Sequence, residues 1–389
     1  MKLFVLLSRV PYPLEKGDKL RAYHQIKWLS KKHDVFLCCL TDQAVSQEVM
    51  DHLSSMVHRL EIIPLQKFTI GLRLVRGLIS TKPYQVHYFY QHQAQRKINA
   101  LIAEYQPDHI YCQLIRCSEY VKHLISIPKT LDYMDALNAG LHRRSDKSPW
   151  YLKAIFKEES KRLVAYENLI FDYFDHHTII SEQDQQLIYH ADRKKIVVLP
   201  NGVDTDFFTP QQQEHRYQIA FTGNMSYAPN VECAQRLALV ILPLVKKEIP
   251  SARLLLAGAT PSTEVLALQS PDVTVSGWMD DIRDAYAQSS VFAAPMQLGS
   301  GLQNKLLEAM SMELPCVTSP LAANALGPQA NQVLCICESD EQVADQIIRL
   351  LRDRPAADDL AKKGRQFVHE KFNWENTVIQ LEKLFFGKP

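Results

Sequence analysis

The chain has 389 residues, too many for one ordinary hydrophobic core, which points to two or three domains. Its 46% apolar and 22% charged residues are those of a water-soluble globular protein, and a net charge of +1 argues against nucleic acid as the main partner. Eight cysteines sit mostly in apolar runs, and Cys335-Ile-Cys337 has no second ligand pair, so the pattern suits a reducing cytosol and not a zinc site.

From the start, Leu3-Phe-Val-Leu-Leu7 reads as a buried first strand. It is too short for a secretion signal, and Arg9, Pro11, Pro13, Glu15 and Lys16 follow it without a small-residue cleavage site. No run approaches the roughly 20 apolar residues of a membrane-spanning helix, so the expected location is the cytoplasm or the inner face of the plasma membrane. Short apolar strands are predicted at 3–7, 35–40, 60–63, 109–112, 130–132, 178–181 and 196–199. Helical periodicity lies between them, as at 19–32 and 150–173. The alternation restarts at 218–222, 253–257, 273–276, 291–294, 316–318 and 333–336. Unbroken apolar strands alternating with helices predict α/β architecture: two doubly wound Rossmann-like domains with parallel sheets covered on both faces.

Pro200-Asn-Gly-Val-Asp204 and the polar run 211–216 mark the boundary between them. The expected division is an N-terminal domain over 1–200, a second over 201–370, and a final helix over 371–389 that packs back across the junction. Basic clusters at Lys16, Lys19, Arg21, Lys27, Lys31 and Lys32, and at Arg143, Arg144, Lys147, Lys153 and Lys157, read either as solvated helix faces or as contacts with an anionic membrane or a lipid-linked substrate.

Residues 295–315 carry the most chemistry. An apolar strand ends at Pro295, a loop with Gly299 and Gly301 follows, and a helix opens with Lys305 and Glu308 in its first turns. Such a turn lets a ligand approach the backbone, and the helix N-terminus offers unpaired N–H groups and the positive end of the dipole. Lys305 adds a point charge for phosphate, and Glu308 can accept two hydroxyl hydrogen bonds, as a ribose would offer.

Taken together these segments resemble the GT-B glycosyltransferases, in particular the large retaining family four. The resemblance rests on Pro200-Asn-Gly-Val-Asp204, Phe221-Thr-Gly-Asn-Met225 with Asn230, Arg253-Leu-Leu-Leu-Ala-Gly258, Val273-Thr-Val-Ser-Gly-Trp278 and residues 295–315. Pro11-Tyr-Pro13 with Lys16-Gly-Asp-Lys-Leu-Arg21, Leu131-Asp-Tyr-Met-Asp135, and Tyr166-Glu167 are similar to a narrower group, the sugar transferases of bacterial exopolysaccharide and exosortase systems.

The resemblance implies a retaining, metal-independent hexosyltransferase with no cofactor. It would move sugar from a UDP- or GDP-linked donor to a glycan or lipid-linked acceptor. It assigns the donor to Gly223, Asn224, Gly277, Trp278, Ser300, Gly301, Leu302, Lys305 and Glu308, and an acceptor or phosphate loop to Gly17, Asp18 and Arg21. Catalytic importance falls on Lys305, Glu308, Arg21 and Asp135. Two departures stand out: Ser300 holds the place of a glutamate usual in the family, and Asn224 that of a basic residue, leaving Lys305 as the main cation on the diphosphate. A nucleotide-sugar 2-epimerase and a sugar-nucleotide-binding protein without catalysis are the alternative readings. A nicotinamide dehydrogenase is disfavoured because Ser8-Arg-Val-Pro-Tyr-Pro13 stands where a Gly-x-Gly-x-x-Gly would follow the first strand.

Overall fold

The computed structural model describes residues 1–14, 16–138, 150–298 and 302–386, which form two compact units, Met1–Pro200 with Thr377–Pro389, and Asn201–Asn376. Ser300 and Gly301 of the predicted donor loop, and Arg143, Arg144 and Lys147 of the second basic cluster, lie outside the described residues.

The first unit is built on a seven-stranded sheet: β1 (Lys2–Leu7), β2 (Asp34–Thr41), β3 (Arg59–Pro64), β4 (His109–Gln113), β5 (Lys129–Asp132), β6 (His176–Ile179) and β7 (Val197–Val198). The strands run in the order β3-β2-β1-β4-β5-β6-β7, and every pairing is parallel. Continuous apolar runs are what a sheet covered on both faces requires. Along β1, Phe4 and Leu6 pack on one face, while Leu3, Val5 and Leu7 pack on the other.

The second unit repeats the plan with β8 (Tyr217–Thr222), β9 (Leu254–Ala257), β10 (Val273–Gly277), β11 (Ser289–Ala294), β12 (Cys316–Thr318) and β13 (Cys335–Ile336). Its order is β10-β9-β8-β11-β12-β13, again wholly parallel. In both sheets the order of winding reverses beside the unit's first strand, between β1 and β4 and between β8 and β11. Open α/β sheets bind ligands beyond the strand C-termini at such a switch point. Each predicted strand is present, although the closing strand of each sheet is shorter than expected: β7 is only Val197–Val198, and Val333 belongs to a turn, not to β13.

The second unit runs to Asn376, past the expected limit at 370. The closing helix Trp374–Phe385 therefore starts in that unit and ends in the first. Val378, Leu381 and Phe385 join the core formed by Leu3, Val5 and Leu37, and Glu382 takes hydrogen bonds from Lys32 and His33 at 3.1 and 2.8 Å. Within the second unit, a side chain at Gly202 would meet the backbone nitrogen of Trp374 at 2.4 Å, so the Asn-Gly of the linker serves a close backbone approach. The segment Ala228–Glu248 is long and apolar enough to cross a bilayer, but Cys233, Leu237, Ile241 and Val245 are fully buried in the core.

Candidate functional site

At the switch point of the second unit, β8 ends at Thr222 and the chain turns at Gly223 with φ +151°. A Cβ there would lie 2.7 Å from Asn230 Nδ2 and 3.1 Å from Lys305 Nζ, so glycine lets both polar groups close over the turn. Gly258, after β9, sits so tightly beneath that a Cβ would overlap the Gly223 carbonyl oxygen at 1.9 Å.

Opposite the turn begins the helix Asn304–Ser311, whose N-terminus carries the positive end of the helix dipole. Lys305 donates to Asn230 Oδ1 at 2.5 Å and lies over the Phe221 ring, 4.5 Å from its centroid. Burial drives the Lys305 pKa down to about 8, against the pull of Cys233 and Glu308. Glu308, one turn on, is half-buried and accepts from Tyr286 Oη at 2.6 Å, while Tyr286 also meets Thr222 Oγ1 at 2.8 Å. Burial raises the Glu308 pKa, and Tyr286 and Lys305 partly offset that.

The structure thus brings Gly223, Lys305 and Glu308 together, with Leu302 leading into the helix. Asn224 plays a different part. Its Oδ1 accepts from Ser226 N, Ser226 Oγ and Thr260 Oγ1, and its carbonyl accepts from Asn230, so it shapes the loop that aims Asn230 at Lys305. Gly277 and Trp278 lie at the end of β10, the edge strand; Gly277 takes φ +67° and its carbonyl accepts from Gly258 N at 3.1 Å, while the indole is 66% exposed.

In the first unit the expected phosphate cation is corrected. Arg21 is fully buried: its Nε and Nη2 donate to Asp132 at 2.7 and 3.2 Å, and Nη1 donates to the Leu199 carbonyl at 2.8 Å. Asp132 also accepts from Tyr111 Oη at 2.8 Å and Thr178 Oγ1 at 2.9 Å. Arg21 is the fifth residue of the helix Gly17–Leu29, far enough along for its side chain to turn inward to the sheet. Its guanidinium is committed to a buried ion pair with Asp132 inside the first unit.

Gly17 packs near Met134, with a Cβ there 3.2 Å from Met134 Cε. Asp18 is engaged by Arg9 at 2.9 Å, and its carbonyl accepts from Gln113 Nε2 at 3.1 Å. Asp135 follows β5, its Oδ1 has no hydrogen-bond partner, and burial reinforced by Asp184 pushes its pKa up to about 6. Arg116, overlooked in the sequence, lies just past β4. Its Nε donates to Gln85 at 2.7 Å, its Nη1 has no partner, and Asp135 and Asp18 lie within its electrostatic reach. Arg9 was overlooked as well. Both are lone cations just past an apolar strand, at the ends of the two strands that flank the switch point, and that position was the available signal.

Tyr166 and Glu167 are neither a surface pair nor solvent-facing. Tyr166 meets Ser118 and Glu119 at 2.8 Å, and Glu167 is fully buried on Asn138 Nδ2 at 2.6 Å, its pKa raised by burial to about 8. Ser181 caps the helix Glu182–Leu187 through Asp184 N at 3.1 Å.

Residues 216–353, which hold all the strands of the second sheet, match the family described as glycosyl transferases group 1. The second unit thus carries a glycosyl transferase group 1 domain, and the chain as a whole has the GT-B fold. It is 21% identical over 402 residues to a 44.6 kDa protein of the cps region of Klebsiella pneumoniae, covering 98% of this chain and 99% of that one. It is 27% identical over 213 residues to a GDP-mannose-dependent α-(1-6)-phosphatidylinositol monomannoside mannosyltransferase of Mycobacterium tuberculosis, an alignment covering 49% of this chain and 55% of the relative. Among solved structures, Anabaena HepE in complex with UDP superposes with a TM-score of 0.69 at 12% identity over the full length of both chains, a likeness of fold.

Proposed function

We propose that this glycosyltransferase moves a hexosyl group from a nucleoside diphosphate sugar, UDP- or GDP-linked, to a glycan or lipid-linked acceptor in bacterial surface polysaccharide synthesis. The transfer retains anomeric configuration, needs no metal, and takes place in the cytoplasm or at the inner face of the plasma membrane. The observation that carries the reading is Lys305 held by Asn230 above the Gly223 turn, in the first turn of its helix, with Glu308 one turn on.

Each part has a task. Departure of the nucleoside diphosphate places negative charge where Lys305 Nζ and the helix N–H groups stand, and preorganised donors at a developing charge supply a large share of catalysis. The second oxygen of Glu308, beyond the one given to Tyr286, suits a ribose hydroxyl. The exposed Trp278 offers an aromatic face for a base. In the first unit, Gly17, Asp18, Arg9, Arg116 and Asp135 form the acceptor-side set, with Asp135 and Arg116 orienting a hydroxyl or a sugar. Names of relatives support the pathway: one is a protein of a cps region, and one is a GDP-mannose-dependent phosphatidylinositol monomannoside mannosyltransferase.

The test is transfer itself. Purified enzyme with EDTA is given UDP- and GDP-hexoses and a panel of lipid-linked and free glycans, and product linkage is read by NMR. A product of retained configuration is expected. Transfer abolished by EDTA, an inverted product, or a free epimerised sugar formed without acceptor would overturn the corresponding part of the proposal.

A further inference from the structure

The helix Lys67–Gly77 carries two apolar stripes. Ile70 and Leu74 pack toward the core, Gly77 abuts the rings of Tyr84 and His87, and Arg162 Nη1 donates to the Gly77 carbonyl at 2.6 Å. These contacts anchor one face. With about 100° of turn per residue, Phe68, Leu72, Val75 and Ile79 fall on the opposite face. Their side chains are 80%, 56%, 66% and 91% exposed, and Leu78 beside them is 65% exposed. Scattered exposed apolar residues need no explanation, but a contiguous stripe of large ones marks an interaction surface.

Charge identifies the partner. Between Glu61 and Glu104 the sequence has no Asp or Glu, whereas Lys67, Arg73, Arg76, Lys82, Arg96 and Lys97 all fall there. Lys67 and Arg76 are exposed along the rim of the stripe. Lys82 pairs with Glu119 and Lys97 with Glu61, which leaves Lys67 and Arg76 flanking the stripe on its own helix. An apolar stripe flanked by cations is the composition of a helix lying in the headgroup region of an anionic bilayer. A second copy presenting the same face would set cation against cation.

The basic helix Gly17–Leu29 does not compete for this role. Its apolar residues Ala22, Ile26 and Leu29 are buried inward, Lys31 sits over the Trp28 ring, and Lys32 pairs with Glu382, so it is a solvated face.

We infer that the outward face of Lys67–Gly77, continued by Leu78 and Ile79, is a docking surface for an anionic phospholipid bilayer. The inference rests on exposure and charge in the first unit and stands whether or not the acceptor is lipid-linked.

The test is co-sedimentation of the full chain with phosphatidylglycerol-containing vesicles and with pure phosphatidylcholine vesicles. Wild type should bind the anionic vesicles, with salt weakening the association. Substituting Phe68→Ser, Leu72→Ser and Val75→Ser together should reduce partition about tenfold or more while thermal unfolding and nucleotide binding stay unchanged. Lys67→Gln with Arg76→Gln should remove the preference for anionic lipid. A Phe68→Trp variant should show a blue-shifted emission on vesicle addition. Equal partition of wild type and the triple-serine variant, or an unshifted Phe68→Trp emission, would overturn the inference. So would a concentration-dependent dimer abolished by the same serines, which would assign the stripe to a second copy.

Discussion

Two cations enter this structure in nearly the same sequence setting and meet opposite fates. Arg21 and Lys305 each follow a strand, a glycine-bearing loop and a helix start at a switch point. Arg21 is fully buried and its guanidinium is consumed by Asp132 and the Leu199 carbonyl. Lys305, second in its helix, donates its ammonium to the neutral amide of Asn230, while the Glu308 carboxylate one turn on accepts from Tyr286. Depth along the helix decides between them. The fifth residue turns inward to the sheet, while the second stays at the terminus, where an anion would arrive.

The contrast predicts a double dissociation. Arg21→Ala leaves Asp132 as an uncompensated buried charge and should cost about 3–5 kcal/mol of stability in chemical denaturation, enough to threaten folding. Lys305→Ala should leave the denaturation midpoint near wild type and lower turnover by about 10²–10³. A stable Arg21→Ala enzyme would break the comparison on one side, and a fully active Lys305→Ala enzyme would break it on the other.

Smaller effects sharpen it. Glu308→Ala removes a charged acceptor and should weaken donor affinity by about ten- to a hundredfold in calorimetry. Because burial holds the Lys305 pKa to about 8, its charge is present below that pH and lost above it. Donor affinity should therefore fall as pH rises from 7 to 9, by at most about tenfold per unit, and Lys305→Ala should flatten the profile.

Glu167 titrates without serving the donor site. Its folded pKa of about 8 lies above its unfolded value, so the folded state binds the extra proton and stability falls as pH rises through that window. The loss is at most about 1.4 kcal/mol per pH unit, and Glu167→Gln should remove it from the pH dependence of the melting temperature.

The architecture was legible because strands buried on both faces leave unbroken apolar runs, as in Leu3–Leu7 and Leu254–Ala257. The meeting of Gly223 with Lys305 and Glu308 was legible because the glycine ends β8 and the other two open the helix after β11, the two strands at the switch point. Arg21 misled because sequence records its proximity to Gly17 but not the Asp132 carboxylate, 111 residues away, that captures it. Arg116 was hidden for the converse reason: no local motif marks it, and it reaches Asp135 only when β4 and β5 pair. The outward stripe of Lys67–Gly77 was equally invisible, because a helix with two apolar faces does not reveal from periodicity which face the core takes.

The most direct test of the donor site is isothermal calorimetry of UDP, GDP and ADP against wild type and Lys305→Ala at pH 7. At least one nucleoside diphosphate should bind wild type and lose about tenfold or more in affinity to the variant, with the variant's unfolding unchanged. No binding by any of the three, or equal affinity for both proteins, would contradict the assignment of Lys305 and its helix to the diphosphate.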